Sequence, residues 1–167
     1  MQSLSERTAG FTDSVIRRMT RVSMQYGAVN LSQGFPDFEP PKEILDRMAQ
    51  VAYEDFHQYS ITWGAQNFRE ALAAKQSRCM GRKIDPNTEI VTTCGSTEAM
   101  MAAMMTVTNP GDKVIIFSPF YENYGADTIL SGAEPIYVPL VPPDFHFDPA
   151  VLEDAFRQHP KAMILCN

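Results

Sequence analysis

Two short polar segments of the 167-residue sequence have the residue types of an anion-binding site. Gly95-Ser96-Thr97 lies where the apolar pair Ile90-Val91 gives way to the apolar run from Ala99 to Val107, which predicts a turn that opens a buried helix. The first N–H groups of a helix have no partner within it and carry about half a positive charge, so they stabilise a phosphate ester. Gly95 would let the backbone approach that anion closely. Ser or Thr at a helix start is also an ordinary N-cap, and the turn alone leaves both interpretations open.

The second segment, Ser118-Pro119-Phe120-Tyr121, ends a strand predicted over Lys113 to Phe117, which itself follows the turn Asn109-Pro110-Gly111-Asp112. Ligands of parallel α/β sheets bind outside the carboxyl ends of the strands. Two successive strand ends then face one crevice. We therefore expect the Tyr121 ring to lie beside the phosphate that the Gly95 turn would hold.

Three helices are predicted before this region. The first has Thr12 as its N-cap, apolar residues at helical spacing from Val15 to Tyr26, and Gly27 as its C-terminal stop. The second starts at Pro40-Pro41 and ends near Glu54. The third begins with a capping box formed by Asn67 and Glu70.

After Gly81 the pattern alternates between strand and helix, which implies right-handed crossovers and a mainly parallel sheet with helices on both faces. The fold class is therefore three-layer α/β. The predicted elements are a strand near Glu89 to Thr93, the Ser96 helix, the strand Lys113 to Phe117, a helix over Asn123 to Leu130, a strand over Glu134 to Val138, a helix over Pro149 to Gln158 and a strand over Ala162 to Cys166.

Composition narrows the possible partners. The 44% hydrophobic content suffices for the core of one domain, and the net charge of −6 argues against nucleic acid or an anionic membrane surface. The three cysteines are scattered and His57 has no second ligand at helical spacing, so neither disulfides nor a metal site is expected. With no apolar run of about 20 residues, we expect a soluble, cytoplasmic protein that binds a small molecule.

Five motifs together resemble the N-terminal half of the class I aminotransferases. These are pyridoxal-phosphate (PLP) enzymes of fold type I, and the similarity is to the aspartate, aromatic and kynurenine aminotransferase branch. Each motif is loose, but their shared order and spacing make chance agreement improbable. The motifs are Leu31-Ser32-Gln33-Gly34-Phe35-Pro36-Asp37-Phe38, Gln58-Tyr59 with Gly64, Gly95-Ser96-Thr97-Glu98-Ala99, Pro110-Gly111-Asp112 and Pro119-Phe120-Tyr121.

The resemblance implies a role for each matching position. The turn Gly95-Ser96-Thr97 would hold the cofactor phosphate, with the amides of its last two residues as donors. Tyr121 would stack on the pyridine ring. Tyr59 would reach the phosphate of the neighbouring subunit, which implies a homodimer with shared active sites. Gly34 would present its backbone N–H to the substrate carboxylate.

The resemblance also implies that the chain is part of a larger fold. Residues 1–40 would form an arm of a smaller domain and residues 41–167 the first part of the large PLP-binding domain. A buried strand stops at Asn167 with no helix after it, which fits an interrupted fold or a small α/β domain with a terminal strand.

The implied activity is transfer of an amino group between an α-amino acid and a 2-oxo acid. The family's cofactor-binding lysine, pyridine-pairing aspartate and carboxylate-binding arginine have no match here, so we expect the chain alone to be inactive, with no catalytic residue of its own. A PLP-dependent carbon–sulfur β-lyase, a non-catalytic PLP-binding domain and a generic phosphate-binding module remain alternatives. The lysines present are Lys42, Lys75, Lys83, Lys113 and Lys161.

Overall fold

The computed structural model describes residues 5–166, which form two compact units. One unit, here called the helical unit, spans Val15–Thr92. The other, here called the sheet unit, contains the described residues before and after that range. Asn167, where the last predicted strand was expected to stop, lies outside the described residues.

The helical unit contains three helices: α1 (Val15–Tyr26), α2 (Lys42–Val51) and α3 (Gln66–Met80). Helix α1 stops at Gly27, whose φ of 60° is the left-handed conformation that a glycine adopts at low cost. Helix α2 follows Pro41 as predicted but ends at Val51, earlier than expected.

The capping box predicted for α3 is wrong. The N-cap is Ala65, which has no side-chain cap. The Asn67 side chain accepts from the next amide, that of Phe68, over 2.9 Å. Glu70 instead accepts from Gln66 Nε2 over 2.7 Å. The helix begins at Gln66, one residue before Asn67, so Asn67 and Glu70 do not form the reciprocal pair of a capping box.

Arg69 of α3 is a buried charge that holds the helical unit together, with only 2% of its surface exposed. Its Nε donates to the Gly64 carbonyl over 3.0 Å, and its Nη1 donates to the Pro86 carbonyl and to Asn87 Oδ1. Carbonyl acceptors therefore satisfy the guanidinium, which ties the loop before α3 to the turn that follows the helix.

The strand predicted near Glu89 to Thr93 does not form. The Thr92 amide donates to the Trp63 carbonyl over 2.9 Å, so this backbone pairs with the loop before α3. A Cβ on Gly64 would lie 2.3 Å from Thr92 Oγ1, which explains why glycine occupies this close approach. An apolar segment becomes a strand only beside another strand, and the described residues place none there.

The sheet unit contains strands β1 (Lys113–Ser118), β2 (Glu134–Val141), β3 (His146–Phe147) and β4 (Ala162–Ile164), and their order is β3-β2-β1-β4. Strand β1 pairs in parallel with both β2 and β4, and only the short β3 is antiparallel. The prediction of a mainly parallel sheet is confirmed. The sequence analysis did not predict β3, because its two residues are too few to show an alternating pattern.

Helices cover both faces of this sheet, as predicted. They are α4 (Gly95–Val107), α5 (Asn123–Leu130) and α6 (Pro149–Arg157). Val114 and Ile116 of β1 pack with Met104 of α4, whereas Ile115 packs with Ala155 of α6 on the other face. Successive strand side chains point to opposite faces, so three consecutive apolar residues fill two cores.

Helix α4 differs from the buried helix that its apolar sequence predicted. Of its residues, Met104 is buried, whereas Met105 and Val107 are exposed. Only one face of α4 packs on the sheet. The apolar side chains on its other faces are therefore exposed in this structure, although the sequence predicted that they would be buried. No helix among residues 5–166 is long and apolar enough to cross a bilayer.

Asp127 of α5 is a carboxyl group inside the sheet unit. It is 5% exposed, and its Oδ2 has no hydrogen-bond partner among residues 5–166. Burial disfavours the charged form and raises the pKa of this carboxyl. The folded protein therefore binds this proton more tightly than the unfolded chain does.

We predict that Asp127→Asn stabilises the protein at neutral pH. The pKa of Asp127 is higher in the folded protein than in the unfolded chain. The wild type therefore keeps its full stability below the unfolded pKa of about 3.9, and it loses stability as pH rises through the folded pKa and Asp127 ionises. Asn cannot ionise, so the variant should gain at least about 1 kcal/mol at pH 7 and nothing at pH 3.5. Denaturant unfolding of both proteins across this range measures the difference.

Asp154→Asn is the matched control, because this aspartate is exposed and pairs with Arg157 on the surface. Its loss should change the free energy of unfolding by less than about 1 kcal/mol at any pH. An Asp127→Asn variant whose stability parallels that of the wild type across the pH range would contradict a buried, unpartnered carboxylate.

Candidate functional site

The start of α4 is an open turn with unused backbone donors. Gly95 has a φ of 77°, and no atom lies within 4 Å of the position that a Cβ there would occupy. The N-cap residue, Cys94, makes no side-chain cap hydrogen bond. As second and third residues of the helix, Ser96 and Thr97 have amides that the helix itself does not use, and both residues are exposed.

Hydrogen bonds fix the shape of this turn. The Gly95 amide donates to the Thr93 carbonyl over 2.8 Å, and Thr93 Oγ1 donates to the Gly95 carbonyl over 2.9 Å. The Cys94 amide donates to the Glu98 carboxylate. The amides of Cys94 and Gly95 are therefore occupied, and the amides of Ser96 and Thr97 remain for a ligand.

A side-chain hydrogen bond joins this turn to the start of α5, just after the segment that follows β1. Asn123 Nδ2 donates to Thr97 Oγ1 over 3.0 Å, and Asn123 is the first residue of α5. Tyr121, two residues earlier, is 48% exposed. Sequence reasoning missed Asn123, because an asparagine at a helix start is most often an ordinary cap.

The two aromatic residues after β1 have different surroundings. Phe120 stacks on Tyr137 of β2 with ring centroids 5.2 Å apart and an interplanar angle of 5°. The rings of Tyr121 and Tyr124 form an edge-to-face pair with centroids 5.7 Å apart and an interplanar angle of 77°. Phe120 thus packs on the sheet unit, and Tyr121 keeps an exposed ring beside α5. The sequence did not indicate a role for Tyr124 either, because the start of α5 at Asn123 determines its contact with Tyr121.

Tyr59 and Gly34, the other predicted site residues, belong to the helical unit. The Tyr59 side chain is fully exposed, and no atom lies within 4 Å of the position that a Cβ on Gly34 would occupy. Their predicted roles toward a neighbouring subunit and a substrate carboxylate rest on the sequence.

These groups suit one class of ligand. Unused backbone amides beside a glycine can donate hydrogen bonds to a phosphate ester, and an exposed tyrosine can stack on the aromatic ring of a ligand. No group of three or more His, Cys, Asp or Glu among residues 5–166 could hold a metal ion. Fold and site together fit the class of α/β proteins that bind a phosphorylated aromatic cofactor at the carboxyl ends of parallel strands.

Comparison with known proteins agrees with this class. The model of the family "aminotransferase class I and II" matches residues 26–167. The chain is 38% identical over 135 residues to methionine aminotransferase of Escherichia coli, covering 81% of this chain and 35% of that protein. It is 32% identical over 172 residues to kynurenine–oxoglutarate transaminase 3 of Mus musculus, covering 96% of this chain and 38% of that protein.

The solved structure of N-succinyldiaminopimelate aminotransferase from Mycobacterium tuberculosis is similar with a TM-score of 0.87 and 33% identity, over 98% of this chain and 43% of that one. The chain belongs to the aminotransferase class I and II family, whose members are PLP-dependent transferases of fold type I. It spans about two fifths of the length of these relatives.

We predict that Thr97→Pro weakens PLP binding by the whole protein, because proline removes one amide that would donate to the phosphate. Loss of a hydrogen bond to a charged group costs roughly 1.5–3 kcal/mol, equivalent to about 10- to 150-fold in the dissociation constant. Equilibrium dialysis with PLP, and with pyridoxal as the ligand without phosphate, measures the effect.

Thr97→Ala is the control for the lost hydroxyl, since it removes the contact with Asn123 but keeps the amide. Only the proline variant should lose affinity strongly, and only for PLP. Equal losses for PLP and pyridoxal would show that the amide does not bind the phosphate.

Proposed function

We propose that the whole protein transfers an amino group between an α-amino acid and a 2-oxo acid with PLP, and that this chain supplies an N-terminal part of it. The observation that carries the proposal is the open first turn of α4, joined through Thr97 and Asn123 to the segment of Tyr121. The family and the relatives, which are named as aminotransferases, support it.

Each predicted residue then binds or orients. The amides of Ser96 and Thr97 bind the cofactor phosphate, and the face of Tyr121 orients the cofactor ring. Gly34 offers an amide to the substrate carboxylate. When bound, PLP supplies an electron sink for the negative charge that develops on the substrate. The relatives are named for methionine, kynurenine and N-succinyldiaminopimelate, so the proposal extends to amino acids as a class.

The lysines of the sheet unit lie at the wrong end of the strands to act as the proton-transferring base. Lys113 is the first residue of β1, and its Nζ donates to Gln158 Oε1 over 3.3 Å. The Lys161 amide donates to the Lys113 carbonyl over 2.7 Å, so Lys161, which immediately precedes β4, lies at the same end of the sheet as Lys113. At a rise of about 3.3 Å per residue, roughly 17 Å separates Lys113 from the other end of β1, beyond a lysine side chain.

We therefore predict that the chain as given does not catalyse transamination. Incubation with PLP, borohydride reduction and peptide mapping should show label spread at low yield over several exposed lysines. Amino-acid-dependent turnover, assayed with a 2-oxo acid acceptor, should be absent. Stoichiometric label on one lysine together with turnover would overturn the expectation.

Product analysis of the whole protein tests the activity itself. With an amino acid and a 2-oxo acid, transamination yields a new amino acid and a new oxo acid in equal amounts. A carbon–sulfur β-lyase would instead release ammonia and a thiol from a sulfur-containing substrate, and a non-catalytic PLP-binding domain would give neither set of products.

We also propose that two copies share their active sites through Tyr59. Its full exposure within the described chain supports a role toward another subunit. The three cysteines, which are free and exposed, support a reducing compartment and hence the cytoplasm.

Mixing two inactive variants of the whole protein tests the sharing. Tyr59→Phe subunits are combined with subunits that lack the cofactor-binding lysine, which places both defects in one site of the heterodimer and leaves the other site intact. We predict that activity recovers toward one quarter of the wild-type value. Tyr53→Phe is the control, because Tyr53 is equally exposed in the helical unit and its loss should leave activity unchanged. Demonstrated subunit exchange without recovery would refute sharing.

A further inference from the structure

We infer that Tyr124 is a positioning residue that holds the ring of Tyr121 in place. The inference rests on the proposed function, in which Tyr121 presents its ring to the cofactor. It assigns a task to a residue at the carboxyl edge of the sheet that the resemblance left without one.

Among residues 5–166, Tyr124 is the aromatic side chain that contacts the Tyr121 ring. Their ring centroids are 5.7 Å apart at an interplanar angle of 77°, the edge-to-face arrangement that aromatic pairs prefer. The Tyr124 amide also donates to the Tyr121 carbonyl over 3.0 Å. The same two residues are therefore joined through both backbone and side chain.

Tyr124 can orient Tyr121 because it is itself fixed. Its ring packs against the core cluster that contains Ile116 of β1 and Ile164 of β4. Its carbonyl accepts from Thr128 Oγ1 over 2.8 Å. Two strands and one helical turn thus hold this residue, whereas Tyr121 lies on the surface.

Tyr121 is 48% exposed, so its side chain can adopt several rotamers and becomes restricted when a ligand stacks on the ring. Tyr124 restricts those rotamers before the ligand arrives, so less conformational entropy is lost on binding. The restriction acts through Tyr121, and Tyr124 need not touch the cofactor itself. This distinction gives the inference its test.

A double-mutant cycle on PLP binding by the whole protein separates the two possibilities. Tyr124→Leu removes the edge contact, Tyr121→Leu removes the stacking ring, and the third variant combines them. We expect Tyr124→Leu to raise the PLP dissociation constant about 2- to 10-fold, the range of an aromatic pair, and to change nothing further when Tyr121 is already Leu. Visible circular dichroism of bound PLP should change with Tyr124→Leu as it does with Tyr121→Leu.

Tyr124→Phe is the conservative variant, because it loses the hydroxyl and keeps the ring that contacts Tyr121. It should leave the PLP dissociation constant and the dichroism close to the wild-type values.

Tyr137→Leu is the matched control, since Tyr137 stacks on Phe120 and not on Tyr121. Any effect of this variant on PLP binding should add to that of Tyr121→Leu. Thermal unfolding identifies variants that fail to fold, and Tyr124→Met, which replaces the ring with a long flexible apolar side chain, then carries the test.

The outcomes separate the inference from the proposed function. A wild-type protein that does not bind PLP would overturn both. PLP binding that weakens in Tyr121→Leu but not in Tyr124→Leu would overturn the inference alone. A Tyr124→Leu effect that persists in full when Tyr121 is Leu would do the same, because Tyr124 would then act independently of that ring.

Discussion

The parallel pairing of β1 on both of its edges is the constraint on which the sheet unit depends. Strand β1 matches Lys113 with Glu134 on one side and Val114 with Ala162 on the other, all in the same direction. Parallel neighbours cannot be joined by a tight turn, so each connection crosses over through a helix. The carboxyl ends of β1, β2 and β4 then lie at one edge of the sheet.

Helices α4 and α5 show how this constraint creates the site. The hydrogen bond between Asn123 and Thr97 joins the starts of the two helices, and Thr108 Oγ1 donates to Ser131 Oγ over 3.3 Å at their ends. The helices therefore lie side by side and run in the same direction. Their positive N-terminal ends converge at the edge where the strands end. Asp127 lies in α5 between these two bonds. Its Oδ2 is buried there with no hydrogen-bond partner among residues 5–166, which destabilises this packing.

Local signals sufficed for part of this arrangement. The bounds of α5 match the prediction, as do the starts of β1 and β2, because turns rich in Gly, Pro and Asp flank continuous apolar runs. The segment near Glu89 to Thr93 has the same apolar character but lacks a neighbour to pair with. Tyr121 could be placed after a strand from the sequence. Asn123 could not be assigned a task, since its partner Thr97 lies 26 residues earlier in sequence.

The chemistry of the site groups has a consequence for how binding should depend on pH. Backbone amides do not titrate, so the donors of Ser96 and Thr97 stay neutral at every pH. A phosphate ester loses its second proton at a pKa of about 6, and the dianion interacts more strongly with a helix start than the monoanion does. Affinity contributed by these two amides should therefore rise through pH 6, because the ligand ionises and the amides do not.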